Sequence, residues 1–217
     1  MRDDMALRAL YLCDGYGGFE LGFRLAGIDV SAACRVERDS YAAATLVARM
    51  EESYLDKAPI WDDLCTFDGA AWRGRVDIVT AGFPCQPFSA AGEQRGLDDE
   101  RWIWPDIARI IADVRPSYIF LENVPGLVRL GLPDVLSDLA DLGFDAEWGM
   151  LRASDVGAPH RRERVWILDY ADSARCDGAA RPWETKLAHA GEQRRTLADA
   201  DNVGSRGERN ALGRTVR

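Results

Sequence analysis

The chain has 217 residues, of which 47% are hydrophobic, and this composition suits one folded α/β domain with room for an extension. It contains no apolar run of about 18 residues and no basic segment leading into an apolar one at the amino terminus, so we expect neither a membrane span nor a signal peptide. The net charge of −9 argues against a protein that coats nucleic acid without specificity, although it is compatible with a local basic cleft.

The cysteines indicate the redox setting. There are five of them, an odd number, and none are spaced Cys-x-x-Cys. This pattern favours neither a disulfide framework nor a zinc site, so we expect no metal and a reducing, cytoplasmic location.

Strand-like and helix-like runs alternate along the chain. Residues 7–12, 31–36, 76–81 and 118–121 are predicted strands, and residues 144–151 and 165–168 form a final pair. A helix with Phe19, Phe23 and Ala26 on one face follows the first strand, a second covers residues 40–50, and a third begins at Pro105. The alternation predicts an α/β fold with a doubly wound, mostly parallel sheet.

Polar residues follow these strands at their carboxyl ends, where open α/β sheets bind ligands. They are the glycines after residues 7–12, Glu37 after residues 31–36, Asp62 and Asp63 after Ile60, Cys85 after residues 76–81, and Glu122 with Asn123 after residues 118–121.

The glycine turn resembles a nucleotide-binding loop. Gly15, Gly17 and Gly18 would allow close backbone approach, and Glu37, about 20 residues further on, could accept hydrogen bonds from ribose hydroxyls. Glu20 stands where a third glycine is usual and would repel a pyrophosphate, so a nucleoside cofactor without phosphates, such as S-adenosylmethionine, fits better. A turn that serves only helix–strand packing is the equally weighted alternative.

The acidic residues after the later strands have two interpretations. Asp62 and Asp63 are by default solvated turn residues, and only their place at a strand end makes one of them a candidate for the adenine amino group. Glu122 emerges directly from a buried strand, where a carboxyl group is more often paired or functional than solvated, and it could donate a proton there.

Residues 82–89, with the sequence GFPCQPFS, present Cys85 between two prolines at the end of an apolar run. A structural cysteine more often lies within such a run, so a reactive thiolate and a structural role are about equally favoured. Arg95 and the arginines near residue 162 are candidates for stabilising the thiolate.

The basic run at residues 160–164 (HRRER) is either a solvated turn or an anion-binding feature. Arginines at alternate positions entering a strand point the same way, so Arg162 and Arg164 could share a face and contact a phosphate or a base oxygen.

These segments together resemble the cytosine-5 DNA methyltransferase family. Residues 12–19 (LCDGYGGF) are similar to its glycine-rich first motif, residues 82–89 to its nucleophile motif, and residues 122–124 (ENV) to its Glu-Asn-Val motif. The run at 160–164 is similar to its Gln-x-Arg-x-Arg motif, with His160 in place of glutamine. The motifs occur in the family's order across residues 7 to about 170.

The resemblance implies a Rossmann-like fold, S-adenosylmethionine as cofactor and double-stranded DNA as partner, in a bacterial or phage-infected cell. It implies that a flipped-out cytosine is attacked by the Cys85 thiolate, with Glu122 on the ring nitrogen at position 3. The implied catalytic residues are Cys85, Glu122, Arg164, Arg162 and Pro84. The implied cofactor-binding residues are Asp14, Gly15, Gly17, Gly18, Phe19, Glu37, Asp63, Leu64 and Pro84.

The chain also departs from the family pattern. Cys13 stands where an aromatic residue commonly stacks on the adenine, and the motifs that normally follow a target-recognition region are missing. We therefore expect a catalytic domain at residues 1–170, a polar linker or partial recognition region at residues 171–217, and a second chain as a partner that could supply the missing parts. The alternatives are a non-catalytic cofactor- or DNA-binding fragment of the same fold and, on the glycine turn and Glu37 alone, a nicotinamide dehydrogenase.

Overall fold

The computed structural model describes residues 6–84 and 102–171. All of them belong to the first of two units, Met1–Cys176 and Asp177–Arg217. Cys85 and most of the predicted extension at residues 171–217 therefore lie outside the described residues.

The described residues form one seven-stranded sheet in the order β3-β2-β1-β4-β5-β7-β6. Its strands are β1 (Leu7–Leu12), β2 (Val30–Val36), β3 (Ile60–Trp61), β4 (Ile78–Gly82), β5 (Tyr118–Asn123), β6 (Phe144–Arg152) and β7 (Glu163–Ala171). Strands β1 to β5 are parallel, whereas β7 pairs antiparallel with both β5 and β6.

Five helices connect the strands within the described ranges: α1 (Gly18–Leu25), α2 (Ser40–Glu51), α3 (Trp104–Val114), α4 (Leu127–Leu130) and α5 (Leu132–Asp141). Asp39 caps α2, because its Oδ1 accepts from the backbone N–H groups of Tyr41 and Ala42 at 2.9 and 2.8 Å. Pro105 lies in the first turn of α3, as predicted.

The hydrophobic core lies on both faces of the sheet. On one face, α3 packs Ile107, Ile110 and Ile111, all fully buried, in a cluster with strand residues and with Leu139 of α5. On the other face, Phe23 of α1 joins a smaller cluster of strand residues. Each fully buried aliphatic side chain stabilises the fold by about 1.5–3 kcal/mol, so the inward face of α3 is a major support.

The predicted doubly wound, mostly parallel α/β fold is confirmed. The chain runs outward from β1 to β2 and β3 and then returns to β4 on the other side of β1, which creates a switch point at the carboxyl ends of β1 and β4. Among the described helices, none combines the length and apolarity needed to cross a membrane.

One strand end differs from the sequence prediction. The sequence pattern predicts that Glu122 and Asn123 follow a strand, whereas in the structure they are its last two residues. The reason is antiparallel pairing: Glu122 lies opposite Trp166 and Asn123 opposite Val165, which extends the ladder by two positions.

Candidate active site

Three segments converge at the switch point of the sheet. Gly82 ends β4 and pairs with Glu122 on β5. A Cβ atom added at Gly82 would lie 3.6 Å from Oε2 of Glu122 and 3.6 Å from Cε2 of Phe19. The start of the predicted nucleophile motif, the glycine-rich loop and the acidic strand end are therefore neighbours.

Glu122 forms an ion pair with Arg164, with 2.7 Å between Oε1 and Nε. Arg164 stands two residues before Trp166, the cross-strand partner of Glu122, so both side chains are on the same face of the sheet. Their side chains are 22% and 23% exposed, which leaves room for a ligand to reach them. Arg164 can therefore hold the carboxyl group of Glu122 in place and also present its guanidinium to an oxygen acceptor.

Arg162 does not share this arrangement. Strand β7 begins at Glu163, and Arg162 before it has a left-handed φ of 32° and is exposed. The alternation expected for a strand therefore does not extend to Arg162, and the prediction that Arg162 and Arg164 share a face through strand alternation is wrong. His160 and Arg161 are also exposed.

An aromatic cluster supports Phe19 at the beginning of α1. The Phe19 ring meets Phe120 and Trp166 edge-on, with ring centroids 5.5 and 6.2 Å away, and Phe120 stacks on Trp166 at 5.3 Å. Sequence reasoning did not single out Trp166, although its place two residues after Arg164 in a predicted strand was a usable signal.

Glycine suits the three positions of this loop for different structural reasons. Gly15 and Gly17 have left-handed φ values of 58° and 78°. A Cβ atom on Gly17 would lie 2.5 Å from Cδ1 of Leu55, whereas one on Gly15 or Gly18 would meet no atom of the described chain within 4 Å. Gly17 therefore serves close packing, while Gly15 and Gly18 face open space that a ligand could use.

Glu37 is brought to this loop from the end of β2. Its Oε2 accepts from the Gly15 N–H at 2.7 Å, and its Oε1 accepts from the Asp39 N–H at 2.8 Å. The sequence interpretation that placed Glu37 beside the glycine turn agrees with this geometry.

Asp14 points into the protein rather than toward the open space. Its Oδ2 lies 2.6 Å from Nη1 of Arg35, and both side chains are fully buried. Burial raises the pKa of the Asp14 carboxyl, although the Arg35 guanidinium opposes that shift. Glu20, which also contacts Arg35, is buried in the first turn of α1.

The residues after β3 form a short turn. Asp63 caps the 3₁₀ turn Leu64–Thr66, because its Oδ1 accepts from the Cys65 N–H at 2.9 Å. Leu64 is buried, and Asp62 is exposed. Asp63 thus has a structural role as a cap, and its place at a strand end is as predicted.

Asn123 connects β5 to the predicted nucleophile segment. It is only 2% exposed, its Nδ2 donates to the Phe83 carbonyl at 3.2 Å, and its Oδ1 accepts from the Val124 N–H at 2.8 Å. Pro84, the next residue after Phe83, is exposed. Asn123 therefore fixes the backbone just before Cys85, a role that its place in the motif did not reveal.

The chain was compared with known proteins. A sequence model for the C-5 cytosine-specific DNA methylase family matches residues 7–206. The chain belongs to this family. The suspected membership of the cytosine-5 methyltransferase family is confirmed.

Within the residues that the structure describes, no group of three His, Cys, Asp or Glu side chains could hold a metal ion.

Relatives of this chain include Type II methyltransferases. M.NgoMIV of Neisseria gonorrhoeae is 32% identical over 76% of this chain and 52% of its own length. M.PspPI of Psychrobacter sp. (strain TA137) is 36% identical over 71% of this chain and 37% of its own length. The chain thus spans about half, or less, of the curated relatives it matches.

A solved structure shows the same fold. A mutant of Spodoptera frugiperda DNMT2 superposes with a TM-score of 0.65 at 20% identity, covering 82% of this chain and 54% of that chain.

Proposed function

We propose that this chain carries the catalytic residues of a DNA (cytosine-5-)-methyltransferase that uses S-adenosyl-L-methionine. The observation that carries the proposal is the Glu122–Arg164 ion pair beside Gly82, at the point where a family motif leads into Cys85. Family membership supports a DNA substrate, and the names of the relatives support a role in restriction and modification.

The proposed chemistry makes cytosine a nucleophile. The base leaves the DNA stack, and the Cys85 thiolate adds to its 6-position carbon. Glu122 protonates the ring nitrogen at position 3, which drives electron density to the 5-position carbon. When bound, S-adenosylmethionine would supply an electrophilic methyl group to that carbon and leave as S-adenosylhomocysteine. A base then removes the proton from the 5-position, Cys85 leaves by elimination as the regenerated thiolate, and the ring nitrogen at position 3 returns its proton to Glu122.

The two residues of the ion pair have complementary proposed roles. Arg164 would bond the oxygen of the base while holding Glu122 in place, and Arg162 would lie near the DNA. Pro84, exposed immediately before Cys85, would shape the pocket for both base and cofactor.

The residues around the glycine loop fit S-adenosylmethionine. Residues 14–19 would bind its amino-acid part, Glu37 its ribose, and Asp63 with Leu64 its adenine. The first turn of α1 already holds the carboxylate of Glu20, which disfavours a phosphate there and suits a cofactor without one.

The alternative is a fragment of the same fold that binds cofactor or DNA without catalysis. The chain spans 37–52% of the two relatives named above, so the activity of a whole methyltransferase is part of the proposal. A second chain that supplies the rest of a methyltransferase would reconcile both proposals. Residues 1–170 would then be the catalytic domain and residues 171–217 a linker or partial recognition region, in the cytoplasm of a bacterial or phage-infected cell.

Covalent trapping tests the proposed function. The purified chain is incubated with S-adenosylmethionine and mixed-sequence double-stranded DNA containing 5-fluorocytosine, whose fluorine blocks the elimination step. We expect a protein–DNA adduct on a denaturing gel that depends on the cofactor.

Cys85→Ala should abolish the adduct, and Cys65→Ala, which removes an exposed thiol elsewhere, is the matched control. An adduct that persists in Cys85→Ala would overturn the mechanism. S-adenosylmethionine binding without any adduct, even with a complementing chain, would favour the non-catalytic fragment.

A further inference from the structure

Arg35 on β2 is a fully buried cation that joins two carboxylates from separate segments. Its Nη1 lies 2.6 Å from Oδ2 of Asp14, which is in the loop after β1. Its Nη2 pairs with Oε2 of Glu20, in the first turn of α1. The side chains of all three residues are 0% exposed. One guanidinium therefore connects both ends of the glycine-rich loop to the sheet.

A second layer of contacts surrounds this buried group. Oε1 of Glu20 accepts from Arg24 Nη2 and from the Asp56 N–H, both at 2.7 Å. The Asp56 carboxylate in turn lies 2.6 Å from Arg24, whose side chain is 40% exposed. Glu20 therefore has further partners besides Arg35, namely the Arg24 guanidinium and the Asp56 N–H. The described side-chain partner of the Asp14 carboxylate is Arg35.

Charge and shape both require arginine at this position. Without Arg35, two buried carboxylates would face each other in a region of low dielectric, which is strongly unfavourable. The planar guanidinium can serve both acids at once and also lies over the Tyr11 ring, 5.0 Å from its centroid. A lysine would keep the charge but could not reproduce this two-sided geometry.

The loop held by Arg35 is the one that faces open space. The Asp14 carbonyl accepts from the Gly17 N–H at 3.0 Å, and Gly17 is the N-cap of α1. Glu37, directly after the end of β2, accepts from the Gly15 N–H. Strand β2 and the residue after it therefore fix the loop through buried ion pairs at Asp14 and Glu20 and a hydrogen bond at Gly15.

We propose that Arg35 is a positioning residue for S-adenosylmethionine binding, which acts by holding Asp14 and Glu20 so that the backbone of residues 15–18 keeps a shape complementary to the cofactor. This inference rests on the proposed function. Arg35 itself does not touch the cofactor, because its side chain is fully enclosed. Without Arg35 the loop would be less ordered, and cofactor binding would include the free-energy cost of ordering it. Loss of Arg35 should therefore weaken cofactor binding.

The test is the equilibrium dissociation constant for S-adenosylmethionine, measured by calorimetry on the chain and on Arg35→Met and Arg35→Lys. Urea unfolding of each variant defines conditions in which it is folded. We expect Arg35→Met to bind about tenfold more weakly, the change that follows from ordering one or two extra residues, with Arg35→Lys in between. Arg24→Met, which removes the exposed cation of the outer layer, should stay within about twofold of the parent chain.

A double variant keeps the test decisive if Arg35→Met does not fold. Arg35→Met combined with Glu20→Gln has one fewer buried carboxylate but still lacks the anchor on Asp14, so we expect the same weak binding. If the folded variants bind as tightly as the parent chain and differ only in unfolding midpoint, Arg35 is merely structural and the inference is wrong. If the parent chain itself does not bind S-adenosylmethionine, the proposed cofactor site fails first and the inference fails with it.

Discussion

Arg164 on β7 places its Nε 2.7 Å from Oε1 of Glu122 on β5, whose cross-strand partner is Trp166. The antiparallel pairing of these strands makes the contact, because it brings an arginine that is 42 positions away in the chain onto the same face as the carboxylate. Gly82 and the Phe19 ring of α1 lie next to this face, so the pair lies where the glycine-rich loop and the end of β4 meet.

Glu122→Gln tests the proposed acid directly. Glutamine keeps the shape of the side chain but cannot deliver a proton, so methyl transfer should fall by about a hundredfold or more while S-adenosylmethionine binding stays within about twofold. The measurement is transfer of a labelled methyl group to DNA. Glu163→Gln, in an exposed pair with Arg152, is the matched control and should keep its rate. Unchanged transfer in Glu122→Gln would remove Glu122 from the mechanism.

Asn123→Asp tests whether Asn123 anchors the backbone that leads to Cys85. The substitution replaces the donor to the Phe83 carbonyl with an oxygen, so two acceptors would face each other and the chain should lose about 1–3 kcal/mol of unfolding free energy. We also expect slower adduct formation with 5-fluorocytosine DNA, because the backbone before Cys85 loses its support.

Thr80→Val is the control for Asn123→Asp. Thr80 is buried on the neighbouring strand β4, and its hydroxyl has no hydrogen-bond partner within the described part of the chain. Removing that hydroxyl should leave stability unchanged or slightly higher. Equal adduct rates for Asn123→Asp and the parent chain would contradict the anchoring role.

Gly17→Ala separates backbone strain from packing. Gly17 has a left-handed φ of 78° and a Cβ there would collide with Leu55, whereas Gly143 has a φ of 85° with no described atom within 4 Å of such a Cβ. Gly143→Ala should therefore cost about 1 kcal/mol of unfolding free energy from the backbone alone. Gly17→Ala should cost about 1–3 kcal/mol more, from overpacking. Urea denaturation measures both, and equal losses would show that Leu55 moves aside freely.

Asp169 gives the chain a predictable pH dependence. It is fully buried on β7, and neither carboxyl oxygen has a hydrogen-bond partner within the described residues. Burial, with a smaller contribution from Asp145, raises the pKa of the Asp169 carboxyl to about 7. An unfolded aspartate ionises at about pH 4, so between about pH 4 and 7 the folded chain holds a proton that the unfolded chain has lost.

The free energy of unfolding should therefore fall as pH rises through that window, by about 1.4 kcal/mol per pH unit from this group, and level off above it. Asp169→Asn should remove this slope and raise stability at pH 8 relative to the parent chain. Urea unfolding at several pH values measures it, with the exposed Asp141→Asn as control. If the slope persists in Asp169→Asn, another group is responsible.

Much of the fold could be predicted because it depends on local patterns. The β-branched run before Gly82 and the spacing of Ile107, Ile110, Ile111 and Val114 specify a strand and an amphipathic helix with little help from distant residues. The boundaries were less certain: β5 continues through Glu122 and Asn123 because β7 pairs with it, and that pairing depends on residues more than 40 positions away.

Short segments, taken in chain order, are enough to identify the family, the order of its motifs and the residue types that suit the proposed chemistry. The folded arrangement of strands and helices specifies which side chains meet. It paired Glu122 with Arg164, excluded Arg162 from strand β7, and enclosed Asp14 with Arg35 and Glu20. Ion pairs of this kind are specified by strand register and by burial, and neither is encoded within any one segment.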